Sequence, residues 1–408
     1  MASEVGSWLE RRMAGFPLHR IRIEKRCRNA VRILNAASML IAASLLIAAR
    51  NLYAVRLLRR AVACSLALLA FPAFSAFSQS PATGPFMQRD QFPVRMLFLG
   101  LRPEAGDLLP RRSVQWAVQF DYANTYASTL PVGDTLIADD YYRAAPPDEY
   151  RLFVDTESLR VSADLDWRIA SRLQIGATMP FLKHGGGFLD GVVEGFHGMF
   201  NLSNGGREWA PRNDYGVFVV RNRRFWIKSV ESASFRPGDL VVRMKTPLNR
   251  GGDELNLALA GAVKLPTGNL ETLTGSGGWD FQAALFATWR PRRPEQDMVF
   301  HANLAHTRLG RPTLGDGFPL RSITTFVLAF EYRTSGRLAG LVQTQVNIGP
   351  FPGSRLGPLN RTAIEATAGV RYALSESLSL DMGLTENLSQ YQNTPDVGLH
   401  AGIVWRTP

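Results

Sequence analysis

"SVQWAVQFDY", residues 113–122, places Val114, Trp116, Val118, Phe120 and Tyr122 at every second position, with Ser113, Gln115, Ala117, Gln119 and Asp121 between them. A period of two is the side-chain period of a β-strand. One face is bulky and apolar, the other small and polar. In a soluble protein the aromatic face would cover a core. In a barrel crossing a membrane it faces lipid, and the polar face lines the interior.

Segments of the same kind recur to the C-terminus: residues 159–169, 172–181, 238–245, 254–265, 278–290, 297–308, 321–333, 337–348, 362–374, 377–388 and 397–406, twelve in all. Clusters of Gly, Pro, Asn and Asp separate them. The intervening stretches alternate between long (123–149, 182–237, 266–277, 309–320, 349–361, 389–396) and short (170–171, 246–253, 291–296, 334–336, 375–376). An even strand number, short turns at one end and long loops at the other describe a bacterial outer-membrane barrel. The expected fold is therefore all-β, a closed antiparallel transmembrane barrel of about twelve strands.

Two faces support this over a large soluble β protein. In residues 278–290 the apolar parity carries Trp279, Phe281, Ala283, Leu285, Ala287 and Trp289. Ten residues of strand span about 33 Å, or about 25 Å of membrane normal when tilted, with an aromatic at each rim. The opposite parity across the chain carries Arg160, Asp164, Asp166, Arg168, Arg243, Lys245, Lys264, Glu365, Arg371 and Asp381. Such a set does not suit a dry core and predicts a water-filled lumen. The last strand, with Trp405 near the terminus, has the aromatic ending typical of chains handed to the barrel-assembly machinery.

The formal net charge of +11 is local, since residues 1–78 hold 12 of the 46 Lys+Arg and only 3 of the 35 Asp+Glu. The remainder is close to neutral, which argues against a nucleic-acid partner. Residues 1–78 read as a leader. Arg56, Arg59 and Arg60 precede the apolar run 61–74, and Ala76-Phe77-Ser78 offers a signal-peptidase site. The stretch upstream of residue 55 is either an over-extended start or part of a long leader. Both cysteines, Cys27 and Cys64, fall in this region. Residues 79–112 are expected to form a periplasmic N-terminal segment, followed by the barrel, 113–408.

The 56-residue stretch 182–237 is unlike the rest. Asp190, Glu194 and His197 fall at i, i+4 and i+7, one face of a short helix. With Arg207 they form a candidate binding cluster, against the plainer reading of a solvated loop helix. No metal, cofactor or catalytic residue is assigned. A loop this long is expected to act as plug or lid of the barrel.

The run "GGGFLDGVVEGFHGMFNLSNGGREWAPRN" (185–213), with "FVDTESLRVSADLDWRI" before it and "KLPTGNLETLTGSGGWDF" after it, resembles the bacterial domain-of-unknown-function family 3187 over roughly residues 88–406. That family is regarded as outer-membrane barrel-like and has no assigned reaction, so the resemblance implies a fold and a location but no catalytic group.

Three function classes stay open. The first is a pore for passive passage of small solutes, with outer-membrane lipid as its surroundings. The second is a non-transporting surface or structural barrel whose 182–237 loop binds a partner. The third is an outer-membrane lipid hydrolase using His306 and Ser322 on the lipid-facing parity; it lacks the His and Ser two residues apart on one strand that such enzymes carry.

Overall fold

The computed structural model describes residues 83–129, 149–200, 207 and 211–407, apart from short stretches at 233, 250–253, 292–296, 312, 315–317, 334–335, 352–353, 355–356 and 389–391. The leader assigned to residues 1–78 lies outside the described residues.

Twelve strands close into one barrel: β1 Val114–Ser128, β2 Tyr150–Ala170, β3 Leu173–Gly185, β4 Val241–Pro247, β5 Leu255–Lys264, β6 Asp280–Trp289, β7 Met298–Leu309, β8 Ile323–Arg333, β9 Leu338–Ile348, β10 Ala363–Ala373, β11 Leu378–Asn387 and β12 Val397–Arg406. Each pairs antiparallel with its sequence neighbours, and β1 pairs with both β2 and β12, which shuts the sheet. At that seam Trp116 stands opposite Trp405 on one side and Leu165 on the other. Closure removes the two sheet edges that would otherwise expose unpaired backbone to lipid.

The apolar parity points outward. Trp116, Phe281 and Trp279 are 51%, 50% and 49% exposed, and Trp167, Trp289 and Trp405 are also exposed. Trp116, Trp167, Trp289 and Trp405 all sit near the short-turn ends of their strands. In the same belt Trp289, Phe300 and Phe330 pack side by side across β6, β7 and β8, with centroids 5.2 and 5.1 Å apart. A continuous apolar belt around the whole barrel would be unstable in water, and it matches a lipid surface.

Two strands run further than their alternation indicates. β1 continues to Ser128 and β2 begins at Tyr150, so their hairpin rises well above the other strands. There the in–out pattern stops, and residues 123–127 and 152–158 are buried on both faces. A hairpin of the long loop, Gly216–Arg221 with Arg224–Ser229, adds to the free side of β2 at Tyr150–Asp155. Loops cover the other face. A strand buried on both sides loses its period-two signature, which is why residues 123–128 and 150–158 are not legible as strand.

The interior departs most from expectation. Of residues 79–112, expected in the periplasm, 84–109 run inside the barrel, and the polar parity of the wall faces protein rather than a column of water. Phe86, Phe92, Val94, Leu97 and Leu101 of this segment are at most 1% exposed.

Lipid-facing packing makes a direct expectation. Leu285→Arg, at the middle of β6 on the outward face, should cost roughly 2–4 kcal/mol in folding free energy, whereas Leu285→Phe should cost little. Equilibrium urea unfolding in phospholipid vesicles measures the difference.

Candidate functional site: a lumen filled by the N-terminal segment

The segment enters at the short-turn end. Gly84 donates its N–H to Glu331 (3.1 Å) and accepts at its carbonyl from Arg371 (2.8 Å). It climbs along β9 to β12: Phe86 packs against Ala339 and Leu341, and Gln88 bonds Thr367 and Thr385. It turns at residues 92–98. Asp90 accepts from the Phe92 N–H (2.9 Å) and pairs with Arg95, while the N–H groups of Arg95 and Met96 reach the Phe92 carbonyl (2.9 and 3.0 Å). Pro93 suits such a turn because its φ is already set. The chain then descends along the opposite wall to Leu109 and leaves to begin β1.

At the turn, Phe92, Val94, Leu97 and Phe98 join one apolar cluster with Tyr150, Leu152, Val217, Val219, Leu273, Phe351 and Leu359, all from the long-loop side. This cluster seals the long-loop end. At the short-turn end the two limbs part around a cavity of about 250 Å³, bordered by Glu104, Asp107, Lys245, Arg290, Arg371 and Arg406 among others.

The descending limb is fixed by charge. Arg102 donates to Asp164 (3.0 Å), Asp166 (2.8 Å) and Glu104 (2.7 Å). Arg243 reaches Asp166 at 2.9 Å and Lys245 reaches Glu104 at 3.0 Å. Above this, Leu99 N–H donates to Asp280 (3.0 Å), and Lys264, bonded to Asp239, donates to the Leu97 carbonyl (3.1 Å). Below it, Gly106 N–H donates to Thr288 (2.8 Å), Arg290 pairs with Asp107 (2.7 Å), and Arg168 donates to the Leu109 carbonyl (2.6 Å). Gly106 is required by closeness: a Cβ there would lie 2.2 Å from the Asn256 carbonyl oxygen. Burial pushes the Glu104 carboxyl up, but Arg102, Lys245 and Arg243 outweigh it and hold the group well below the usual carboxylate range.

Arg160, Asp164, Asp166, Arg243, Lys245, Lys264, Glu365, Arg371 and Asp381 are all buried in the interior, and Arg168 lies at its short-turn rim. Most pair with each other or with the inserted segment; Lys264 also meets Asp239 and Asp280, and Glu365 Oε2 has no hydrogen-bond partner among the described residues. Arg371 is doubly bonded to Asp381 (2.7 Å each) and Arg160 donates to the Asp90 carbonyl (3.2 Å). The sequence does contain a signal for the insertion. Phe86, Phe92, Val94, Met96, Leu97, Phe98, Leu99 and Leu101 give residues 86–101 an apolar content that a solvated tail has no use for.

The loop cluster comes together only in part. Asp190 opens helix α1 (Asp190–Phe200) and pairs with Arg207, which also bonds Asp396 at 2.9 Å. Asp190 further accepts from Asn124 (2.8 Å) and from the Asn213 N–H (2.7 Å). Glu194 faces away and pairs with Arg212, whose side chain is 66% exposed; a pair of that kind contributes little. The side chain of His197 lies outside the described residues. Among the described residues no group of three His, Cys, Asp or Glu side chains is placed to hold a metal ion.

Asp190 therefore works as a clamp. Beside it, Glu157 accepts from Tyr122, from Phe188 N–H (2.8 Å) and from Leu189 N–H. Gly187 (φ +68°) passes so close that a Cβ would sit 1.9 Å from the Glu157 carboxyl. The Gly-Gly-Gly-Phe-Leu-Asp run thus pins the start of the loop to the rim of β1, β2 and β12. The loop's described part extends the wall and contributes Val217, Val219 and Ile227 to the apolar seal. On the outer wall, His306 shares a hydrogen bond with Thr324 (3.0 Å), its register partner, and Ser322 lies beyond the paired end of β8. The Ser–His pair of a hydrolase is not formed.

Arg102→Met should leave three carboxylates without their shared cation and cost about 3–5 kcal/mol, with faster amide hydrogen exchange at residues 99–106 than at 84–91. Gly187→Ala should loosen the loop by about 1–3 kcal/mol, read as faster proteolysis within 186–213 while the boiling-sensitive mobility of the barrel on gels is kept.

Among curated proteins none matches the chain in sequence. Solved structures with a similar course of the chain include an outer-membrane channel from Pseudomonas putida F1 (12% identity, TM-score 0.45, covering 75% of this chain and all of that one). They also include the NanC porin (9%, 0.36, 72% and 98%) and the toluene transporter TodX of Pseudomonas putida (12%, 0.30, 73% and 89%). A family model described as a protein of unknown function, DUF3187, matches residues 62–407. A match over that much of the sequence, on a chain folded as a closed twelve-stranded barrel, places this protein in the DUF3187 family.

Proposed function

We propose that this protein is a bacterial outer-membrane pore for small solutes, held shut by its own N-terminal segment. One observation carries the reading: the wall of the barrel meets the inserted segment mainly through ion pairs and side-chain hydrogen bonds. A barrel serving only as a structural element is filled most stably by apolar side chains, because replacing buried ion pairs with packed hydrophobics is commonly neutral or stabilising. A polar wall that solvates well when the segment leaves is what a pore needs. Selectivity then comes from lumen charges of both signs, with no covalent chemistry.

Loop 182–237 acts as lid in this reading, and residues 83–112 as plug. The surface-binding alternative draws on Phe188, 68% exposed at the base of the same loop. Planar-bilayer recordings separate the two. The full chain should give rare openings, the chain lacking 83–112 should give large stable steps, and the chain lacking 183–236 should open more often than the full chain but conduct less than the unplugged form. Absence of steps in all three forms would reject the pore and favour the surface-binding barrel.

A further inference from the structure

The two limbs of the inserted segment are held differently. The descending limb, 97–109, is tied to the wall of β2 and β4–β7 through Arg102, Glu104, Asp107 and Leu99, with Leu101 packed into an apolar cluster of Ala258, Ala284, Phe286, Ala305 and Val327. The ascending limb, 84–91, faces β9–β12 and β1, and its upper end also meets the other wall, where Arg89 donates to Thr178 of β3 (3.1 Å) and Arg160 of β2 donates to the Asp90 carbonyl (3.2 Å). On that side stands a row of buried polar groups with atoms that have no hydrogen-bond partner among the described residues: both amide atoms of Gln119, Gln343 Oε1, Gln345 Nε2, Asn347 Nδ2 and His400 Nε2 on the wall, and both amide atoms of Gln91 on the limb itself. Every one of these side chains is at most 3% exposed. Polar atoms buried without partners carry their full desolvation cost, which is relieved when water or a solute reaches them.

Building on the pore reading above, we infer that the barrel opens along one side: the ascending limb leaves β9–β12 and β1, the descending limb stays docked, and the uncovered amides form a track for small uncharged solutes rich in hydroxyl groups. The chemistry of the row sets the solute class. Carboxamides offer both donors and acceptors without charge, as a polyol needs. Most fixed charges on this side already have partners: Asp381 has Arg371, Asp121 bonds His400 (2.6 Å), and Asp90 has Arg95, while the buried Glu365 keeps one carboxylate oxygen, Oε2, without a hydrogen-bond partner among the described residues. The track therefore offers an anion no uncompensated counter-charge. The strong cations and carboxylates of the other wall stay covered by the limb that remains.

The absence of cysteine from residues 79–408 makes a crosslinking test direct. Gln88→Cys with Thr385→Cys, whose native side chains bond at 2.7 Å, ties the ascending limb to β11 through a short bifunctional thiol reagent. Leu101→Cys with Ala305→Cys ties the descending limb to β7. Proteoliposome swelling is read with D-xylose, a neutral pentose, and with its carboxylate analogue xylonate. Xylose entry should fall to the level of empty liposomes with the first crosslink, return on its cleavage, and stay within about twofold of the untied protein with the second. Xylose should also enter several-fold faster than xylonate. Blockage by the second crosslink alone would overturn the proposed side of opening, and faster entry of xylonate would overturn the solute class. Absence of xylose entry both in the untied protein and in the chain lacking 83–112 would reject the pore reading, and this inference with it.

Discussion

Arg102 sits where three carboxylates converge, Asp164 and Asp166 from the wall and Glu104 from its own segment. The arrangement can be read from either partner. Two aspartates at i and i+2 on the inward face of β2 repel each other in a confined space, and a single planar guanidinium with five donors relieves both. Without the inserted segment the same aspartates need bulk water or Arg243. The inserted segment thus supplies, in Arg102, the cation that these two wall aspartates share.

That constraint shapes the remainder of the molecule. A twelve-stranded barrel encloses more space than side chains alone fill, so the interior must hold water or protein. Here a hairpin of the chain's own N-terminal segment fills it, charged where it meets β2 and β4 and apolar at its tip. The apolar tip needs cover at the long-loop end, and the loops supply it through Tyr150, Leu152, Val217, Leu273 and Phe351. The tall β1–β2 hairpin and the loop strands added to it are part of that cover. The acidic clamp of Glu157 and Asp190 fixes the start of the largest loop at the rim beside the seal.

The outer face and the inner face obey different rules. Outside, each side chain meets lipid one by one, so the residue type alone settles its fit. Inside, most charged residues have a partner at hydrogen-bond distance, and most of those partners lie far away in sequence: Arg102 and Asp166 are 64 residues apart, Arg371 and Gly84 287. On the wall of β9–β12 and β1 several amides lack partners among the described residues, so this matching is less complete on that side.

The sequence by itself determined what depends on neighbours along the chain. Period-two alternation marks all twelve strands, most to within three residues, and gives their parity, the alternation of short and long connections and the aromatic rims, because each is a local property of a strand between two solvents. The candidate loop residues were legible as a cluster of polar side chains, but helical spacing alone could not show that Asp190 turns to Arg207 and Glu194 to Arg212. Only the tertiary structure decided that residues 84–109 lie inside, that most lumen charges pair with protein, and that β1 and β2 run on beneath the loops. Those outcomes rest on long-range charge pairing and on burial of both strand faces, and neither leaves a periodic trace in the sequence.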